Sequence, residues 1–537
     1  MTDNIQKNLK KLWLVLTAVF AFGALAAVIY YIIYPSEEFF HADCTDTLLW
    51  AQASYDGRAL FNPDFGYAAM LPFGGTMLMI PFIGIFGVSM TTHHIGMVLF
   101  TMLFFASAWF LCRSLKFSLP MSFSAVGVLA LTLCSSAKLR EIFYEHVIYY
   151  SIAAAIIFVL LSLLIRFKDY IEDGEQLKKI IVIVFFTVAF SALSALDGMQ
   201  VIATGTLPVL FAAVAEIFFE KNRKLLDKEN INSIFFCIIC GTSTVIGMWL
   251  LSVLSNGVTA GYAGAFSQYA NMNEWLSNLG KFPEHWFALF GVDAAYGMGI
   301  FSIESILNII RMAAAAIIAL GPVAALFFYK KFDYASKVLL LSHYGVSGVI
   351  MFGYIFGILS AANWRLSPMI CTGLMVCFAL FRVVKSHEVS VRISVLAVCV
   401  LVLFSAISVK NIAEMDKNGI ENNEKYQLSK VLEENGLEYG FATFWNSQAI
   451  TVLSDSRVKV ANTDINEYGI TPCYYQTNKN WFNKQEGIDK YFVLASDYEI
   501  SVLEQTDDWE LFSSLVKDVI EIEGYKIFIF DSLLLFL

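Results

Sequence analysis

The sequence predicts an α-helical polytopic membrane protein of about eleven spans, ending in a small extracytoplasmic α/β domain. Three observations predict it. Of 537 residues, 58% are hydrophobic and only 15% charged, with a mean hydropathy of +0.63. A soluble chain could not bury so much apolar surface, whereas a polytopic one leaves it facing lipid. Apolar windows of spanning length recur at roughly 12–34, 95–112, 119–136, 148–166, 180–196, 201–219, 233–255, 305–329, 338–360, 368–384 and 392–409. The composition then turns soluble from Lys410 onward, which divides the chain into residues 1–409 and 410–537.

The first window follows Lys7, Lys10 and Lys11. It is too long for a signal-peptide core and lacks a small-residue cleavage pattern, so it reads as a retained span. Between it and the second window lies a long loop, 35–94. Residues 73–90 of that loop are apolar but interrupted by Gly74, Gly75, Pro81, Gly84 and Gly87. They read as a re-entrant or interfacial pair of short helices, and charge decides this. With 73–90 not counted as a span, nineteen Lys and Arg residues of 1–409 fall on one side. Six fall on the other: Arg58, Lys138, Arg140, Lys281, Arg311 and Arg365. The positive-inside rule makes the first side cytoplasmic, with the N-terminus on it. The protein is therefore expected in the plasma membrane as a multi-pass chain.

The other face collects the loop 35–94, a charged loop at 137–147, the turn Asp197-Gly198-Met199-Gln200, the long loop 256–304, the turn Asn363-Trp364-Arg365 and the C-terminal domain. In 256–304, Trp275, Glu284, His285 and Trp286 suggest an interfacial helix pair. The domain should hold a helix at 423–435 closed by Gly436. Strands are expected near 438–444, 457–461 and 490–495, with a hairpin over 517–530 turning at Glu523-Gly524. The apolar end, Leu533 to Leu537, is too short to span and should dock on the domain or the membrane surface.

Nine cysteines are scattered. Cys237 and Cys240 lie inside an apolar run without a third ligand and read as small buried hydrophobes. Cys44 and Cys473 are the two expected outside, and their pairing stays open. No basic stripe with interleaved aromatics suggests nucleic acid.

Thirteen acidic residues of 1–409 fall on the outer side. Carboxylates at a bilayer surface are costly to desolvate and point to function. Asp43 and Asp46 follow the first span almost at once and, three apart on a short helix, would share a face. Lys138, Arg140, Glu141, Glu145 and His146 cluster beside a span, Asp197 marks a membrane-edge turn, and Arg365 stands on the outer rim. Acids with one or two Arg in an outer cavity suit transfer from a lipid-phosphate donor. A carboxylate takes the acceptor's proton while Arg neutralises the departing phosphate. They also suit cation-coupled transport, although transporters place such acids near the midplane within inverted repeats, and no internal repeat is visible here. His41, His93 and His94 could join the aspartates around a divalent cation, but without a ligand spacing, so metal and cofactor stay unassigned.

The motifs Asp46-Thr47-Leu48-Leu49-Trp50, Leu71-Pro72-Phe73 and Ile85-Phe86-Gly87-Val88-Ser89 occur in this order after the first span. Together with Asn363-Trp364-Arg365-Leu366-Ser367-Pro368, they resemble the GT-C superfamily of membrane glycosyltransferases. The resemblance is greatest to bacterial relatives of protein O-mannosyltransferases and aminoarabinose transferases. It covers roughly residues 43–117 and the region near 365. It implies a GT-C-like fold and an inverting glycosyltransferase, with Asp46, and Asp43 beside it, as the catalytic carboxylates. The donor would be a polyprenyl-phosphate-linked sugar, held through Arg365, Arg140, Lys138, Glu145, His146 and Asp197. The acceptor would be a glycolipid, cell-wall polymer or protein of the envelope. Thr47 replaces the second acid usual in the leading motif, and Asp64 is the nearest acid upstream of Pro72, which leaves metal dependence open. A transporter or lipid flippase, or a non-catalytic scaffold of the same fold, are the alternatives.

Overall fold

A computed structural model describes residues 2–172, 174, 177–220, 227–255, 257–258, 261, 267–293, 297–358, 362–384 and 388–533. Lys221, Arg223, Lys224 and Lys385 of the charge argument lie outside the described residues, as do residues 534–537 of the apolar end. The chain forms two compact units. The first comprises Met1–Tyr31, Phe100–Leu251 and Phe266–Met415, and the second Ile32–Leu99, Ser252–Ala265 and Asp416–Leu537.

Among the described residues, ten helices are long and apolar enough to cross a membrane. An eleventh span arises if Leu119–Thr132 and Ala137–Glu145, bent by 114° at their junction, count as one. A helix covers most of each of the eleven expected windows. The apolar stretch before the second span differs from expectation. It is one short helix, Pro72–Phe86, opening with a π turn over Pro72–Thr76, rather than a helix pair. At 1.5 Å per residue it falls short of the roughly 30 Å hydrocarbon thickness. It stops at Gly87, whose φ of 67° only glycine adopts freely.

In the first unit, burial separates central helices from lipid-facing ones. The apolar windows of Asn363–Val383 and Tyr149–Glu172 are 83% and 78% buried, against 17% for Gln6–Ile33. Where helices touch, small residues let backbones approach. A Cβ at Gly247 would stand 2.2 Å from the Ala192 carbonyl, and one at Gly321 2.2 Å from Cys377 Sγ. Polar hydrogen bonds tie the expected helix pair, Trp275–Gly280 and Phe282–Leu289. Trp275 Nε1 donates to the Ala270 carbonyl (3.1 Å) and Trp286 Nε1 to that of Ala315 (3.0 Å).

In the second unit, residues beyond Asp416 build a six-stranded sheet. Its strands are β1 Tyr439–Ala442, β2 Lys459–Asn466, β3 Gly469–Pro472, β4 Tyr491–Ser496, β5 Asp518–Ile522 and β6 Tyr525–Phe530, in the order β3-β2-β1-β4-β6-β5. β1 runs parallel to β2 and β4, and the edges are antiparallel. Side-chain alternation feeds two cores. Phe492, Leu494, Ile527 and Ile529 enter one, and Tyr491, Val493, Phe528 and Phe530 the other. The expected helix is Glu424–Glu434, capped by the Asn423 side chain and followed by Gly436 at φ 65°. Three helices were not expected: Phe444–Leu453, Asp497–Leu503 and Trp509–Leu515.

The loop between the first two spans belongs to the same unit and is stitched to it. Gln476 N–H donates to the Gly66 carbonyl (2.7 Å) and Gly66 N–H to that of Thr477 (3.1 Å). A Cβ at Gly66 would lie 1.7 Å from the Tyr474 carbonyl oxygen, so only glycine permits this approach. The Asn423 side-chain amide donates to the carbonyls of Glu37, Glu38 and Phe40 (2.8, 3.2 and 2.9 Å). Cys44 and Cys473 are not joined in a disulfide.

Candidate functional site

Asp43 and Asp46 sit in the second unit, at the junction of a 3-10 turn, Ala42–Thr45, and the helix Asp46–Gly57. His41, not Asp43, caps the turn: its Nδ1 accepts from the Asp43 N–H (3.3 Å). Asp46 N–H donates to the Asp43 carbonyl, which keeps the two acids adjacent.

The Asp46 carboxylate is half-buried and held from one side. Gln476 Nε2 donates to Asp46 Oδ1 (2.6 Å), and Trp50 Nε1 donates to Gln476 Oε1 (2.7 Å). An indole N–H can only donate, so the amide oxygen of Gln476 must face Trp50 and its NH2 must face Asp46. Trp50 stands four residues beyond Asp46 on one helix face. Gln476 is fully buried, with its backbone at φ 54°, a conformation that costs a non-glycine residue about 1 kcal/mol or more. Burial lifts the Asp46 carboxyl well above the usual carboxylate range; the neighbouring Asp43 charge adds to the lift, and the Gln476 hydrogen bond opposes it. Sequence reasoning missed Gln476. Trp50 lay inside a recognised motif, but its partner is 426 positions away, and no local pattern links them.

The remaining candidates belong to the first unit. Lys138 and Arg140 lie on the turn Ala137–Arg140, and Glu145 ends the π turn Glu141–Glu145. This cluster is satisfied only in part: Arg140 Nε and both ring nitrogens of His146 are buried without a hydrogen-bond partner among the described residues. Lys138 pairs with Glu141, His146 Nε2 lies 3.4 Å from Glu141 Oε1, and the Tyr31 hydroxyl donates to Glu145. Arg140 donates from Nη1 to the Cys134 carbonyl (3.0 Å) and stacks over the Tyr31 ring at 5.3 Å. Tyr31, hidden within the first apolar run, carried no sequence signal for this role. Lys138 Nζ lies 5.0 Å from the Trp364 ring centroid, which joins the cluster to the Asn363-Trp364-Arg365 turn.

Arg365 lines a cavity of about 340 Å3 together with Tyr150, Gln200, Thr204, Gln268 and Phe352. Its Nη1 has one weak contact, the Gly353 carbonyl at 3.4 Å, and among the described residues no carboxylate pairs with it. Gln200 belongs to the turn that holds the buried Asp197. Gln268 comes from the long loop, pinned where Ala270 N–H donates to the Phe356 carbonyl (2.8 Å) and Ile358 N–H to that of Gln268 (3.2 Å). Three separately predicted outer segments thus converge on Arg365. A guanidinium without a carboxylate partner among the described residues, at the wall of a mostly apolar cavity, is suited to a phosphate carrying a hydrocarbon chain.

Among the described residues, no group of three or more His, Cys, Asp or Glu could hold a metal ion. His93 packs edge-on against Phe40 at 5.0 Å, and His94 lies 3.6 Å from Glu37.

Comparison with solved structures gives likenesses over nearly the whole chain. An oligosaccharyltransferase of Archaeoglobus fulgidus, complexed with Zn and sulfate, is 12% identical, with a TM-score of 0.48 over 95% of this chain and 72% of that one. The archaeal oligosaccharyltransferase AglB of the same organism, complexed with an inhibitory peptide and a dolichol-phosphate, is 11% identical, with a TM-score of 0.46 over 97% and 74%. Apo ArnT of Cupriavidus metallidurans is 10% identical, with a TM-score of 0.45 over 97% and 98%. No protein-family model matches the chain, and no curated protein does. The chemistry of this chain is carried by its own side chains.

Proposed function

We propose that the protein is an integral membrane glycosyltransferase. It moves a sugar from a polyprenyl-phosphate-linked donor to an envelope acceptor on the outer face of the plasma membrane. The observation that supports this reading is Asp46: a carboxylate shortly after the first apolar span, oriented by Gln476, raised in proton affinity, and free on its other oxygen of any hydrogen bond from that amide. A raised pKa makes a carboxylate a better proton acceptor near neutral pH.

In the proposed reaction the acceptor oxygen attacks the anomeric carbon as the bond from that carbon to the phosphate oxygen breaks. Asp46 takes the acceptor's proton, with Asp43 supporting it. The departing polyprenyl phosphate keeps the bonding pair, and Arg365 compensates its charge. A single displacement of this kind inverts the anomeric centre. Lys138, Arg140, Glu145 and His146 would brace the turn beside Arg365, and Asp197 the turn carrying Gln200. The N-terminus would be cytoplasmic and the C-terminal domain extracytoplasmic. Among the described residues, Asp43 and Asp46 belong to no group of three or more His, Cys, Asp or Glu that could hold a metal ion.

The test is envelope glycan mass spectrometry in a deletion strain complemented with wild type or Asp46→Asn at equal abundance. Wild type should restore a missing sugar mass, while the variant, slowed by about 10²–10⁴-fold through loss of the base, should not. Restoration by both would remove Asp46 as base. No glycan change on deletion would favour a transporter.

A further inference from the structure

A second cavity, of about 310 Å3, lies wholly within the second unit, away from the Asp46–Gln476 contact. Gln52 and Asp56 line it from the helix Asp46–Gly57, on a different face from Asp46 and Trp50. Gln448, Lys459, Trp481 and Gln485 line it from the sheet domain.

Gln448 decides what the cavity needs. Its side chain is completely buried, yet its Oε1 has no hydrogen-bond partner among the described residues. The amide orientation is fixed by its neighbours. Asn462 Nδ2 donates to the Tyr475 carbonyl (2.6 Å), and Asn462 Oδ1 accepts from the Ser447 hydroxyl. Only the NH2 of Gln448 can therefore face Asn462 Oδ1, at 3.4 Å. Its oxygen is left as a buried acceptor, costly unless something donates to it.

The other lining groups narrow the ligand. The Asp56 carboxylate, itself accepting from Gln52 Nε2 at 2.6 Å, offers further acceptor capacity. Gln485 commits its Nε2 to the carbonyls of Asn480 and Asn483 (3.3 and 2.6 Å), which leaves its oxygen for other donors. Lys459 is an exposed donor without a carboxylate partner among the described residues. Trp481 adds a half-buried aromatic ring. An anion would meet several acceptors, and an apolar ligand would leave Gln448 unsatisfied. Vicinal hydroxyls, each both donor and acceptor on a ring with an apolar face, match the whole set.

We infer that this cavity is a carbohydrate-binding site for a pyranose residue of a glycan, distinct from the position of Asp46. The inference goes beyond the transfer reaction and does not rest on it.

Saturation-transfer NMR on the full chain in glycolipid-free nanodiscs tests it, with glucose, galactose, mannose, N-acetylglucosamine and xylose as probes. At least one sugar should give ring-proton signals with wild type. Gln448→Leu should weaken that binding at least tenfold while its melting temperature stays equal or rises, because the substitution removes an unsatisfied buried acceptor. Lys459→Ala, at an exposed position, should weaken it several-fold without change in melting. Asp46→Asn should bind like wild type, so failure of the transferase reading leaves this one standing. Absence of signal for all five sugars, or wild-type binding by both cavity variants, would overturn it.

Discussion

The Asp46 carboxylate is held between opposing influences: burial and Asp43 favour its proton, and the Gln476 hydrogen bond favours its charge. Removing only the last gives a signed prediction. Gln476→Leu should push the Asp46 pKa higher still, so the acid limb of the pH–rate profile should move to higher pH, with activity above that limb reduced less than in Asp46→Asn. A role confined to folding would lower the amount of active protein and leave the limb where it was. Arg365 is tested by a different signature. Arg365→Gln should raise KM for the lipid-linked donor by about 10–100-fold, the range expected for loss of a charge-assisted contact. Glu37 supplies a stability prediction. Burial, aided by the Asp455 charge, lifts its carboxyl to about 7. A raised acid binds its proton more tightly when folded, so its contribution is full below about 4.5 and is lost as pH rises through about 7. The second unit should therefore lose on the order of 2–3 kcal/mol over that window. Thermal melts of Glu37→Gln should be flatter with pH than wild type.

At the scale of elements, Gly66 is the narrowest joint. Gly66→Ala would drive a methyl group into the Tyr474 carbonyl and should break the pairing of residues 65–66 with 476–478. A loss of several kcal/mol is expected for a backbone clash of this kind, visible as faster limited proteolysis of the 473–485 segment. Which elements were legible in the sequence follows from their chemistry. The spans announce themselves because lipid requires uninterrupted apolar helices. β1, β4 and the 518–530 hairpin were readable because their residues are continuously apolar or alternate. β2 was read short, since its second half, Asn462-Thr463-Asp464, is polar although Asn462 and Thr463 are buried. β3 has four residues and no apolar run, and the helix Phe444–Leu453 opens with aromatics that look like strand. The charged cluster at 138–146 was visible, but not that Glu141 pairs with Lys138 and His146 while Tyr31 serves Arg140 and Glu145.

For the whole molecule, the grouping of the loop between the first two spans with the residues beyond Asp416 matters more than the composition break at Lys410. The break suggested an appended domain, whereas the hydrogen bonds from Asn423 and Gln476 make that region part of the framework around Asp46. A chain truncated after Met415 should still insert in the membrane, because all its apolar spans remain. It should have no transfer activity, and glycan profiling of the deletion strain carrying it should match the empty strain. Gln476 follows Asp46 by 430 positions, and this spacing imposes an order on biosynthesis. At translation rates of about 5–20 residues per second, roughly 20 to 90 s separate the emergence of the carboxylate from that of the amide that aims it. During that interval the spans enter the bilayer with the acid still unaimed, so under the proposed reaction a half-made chain transfers nothing.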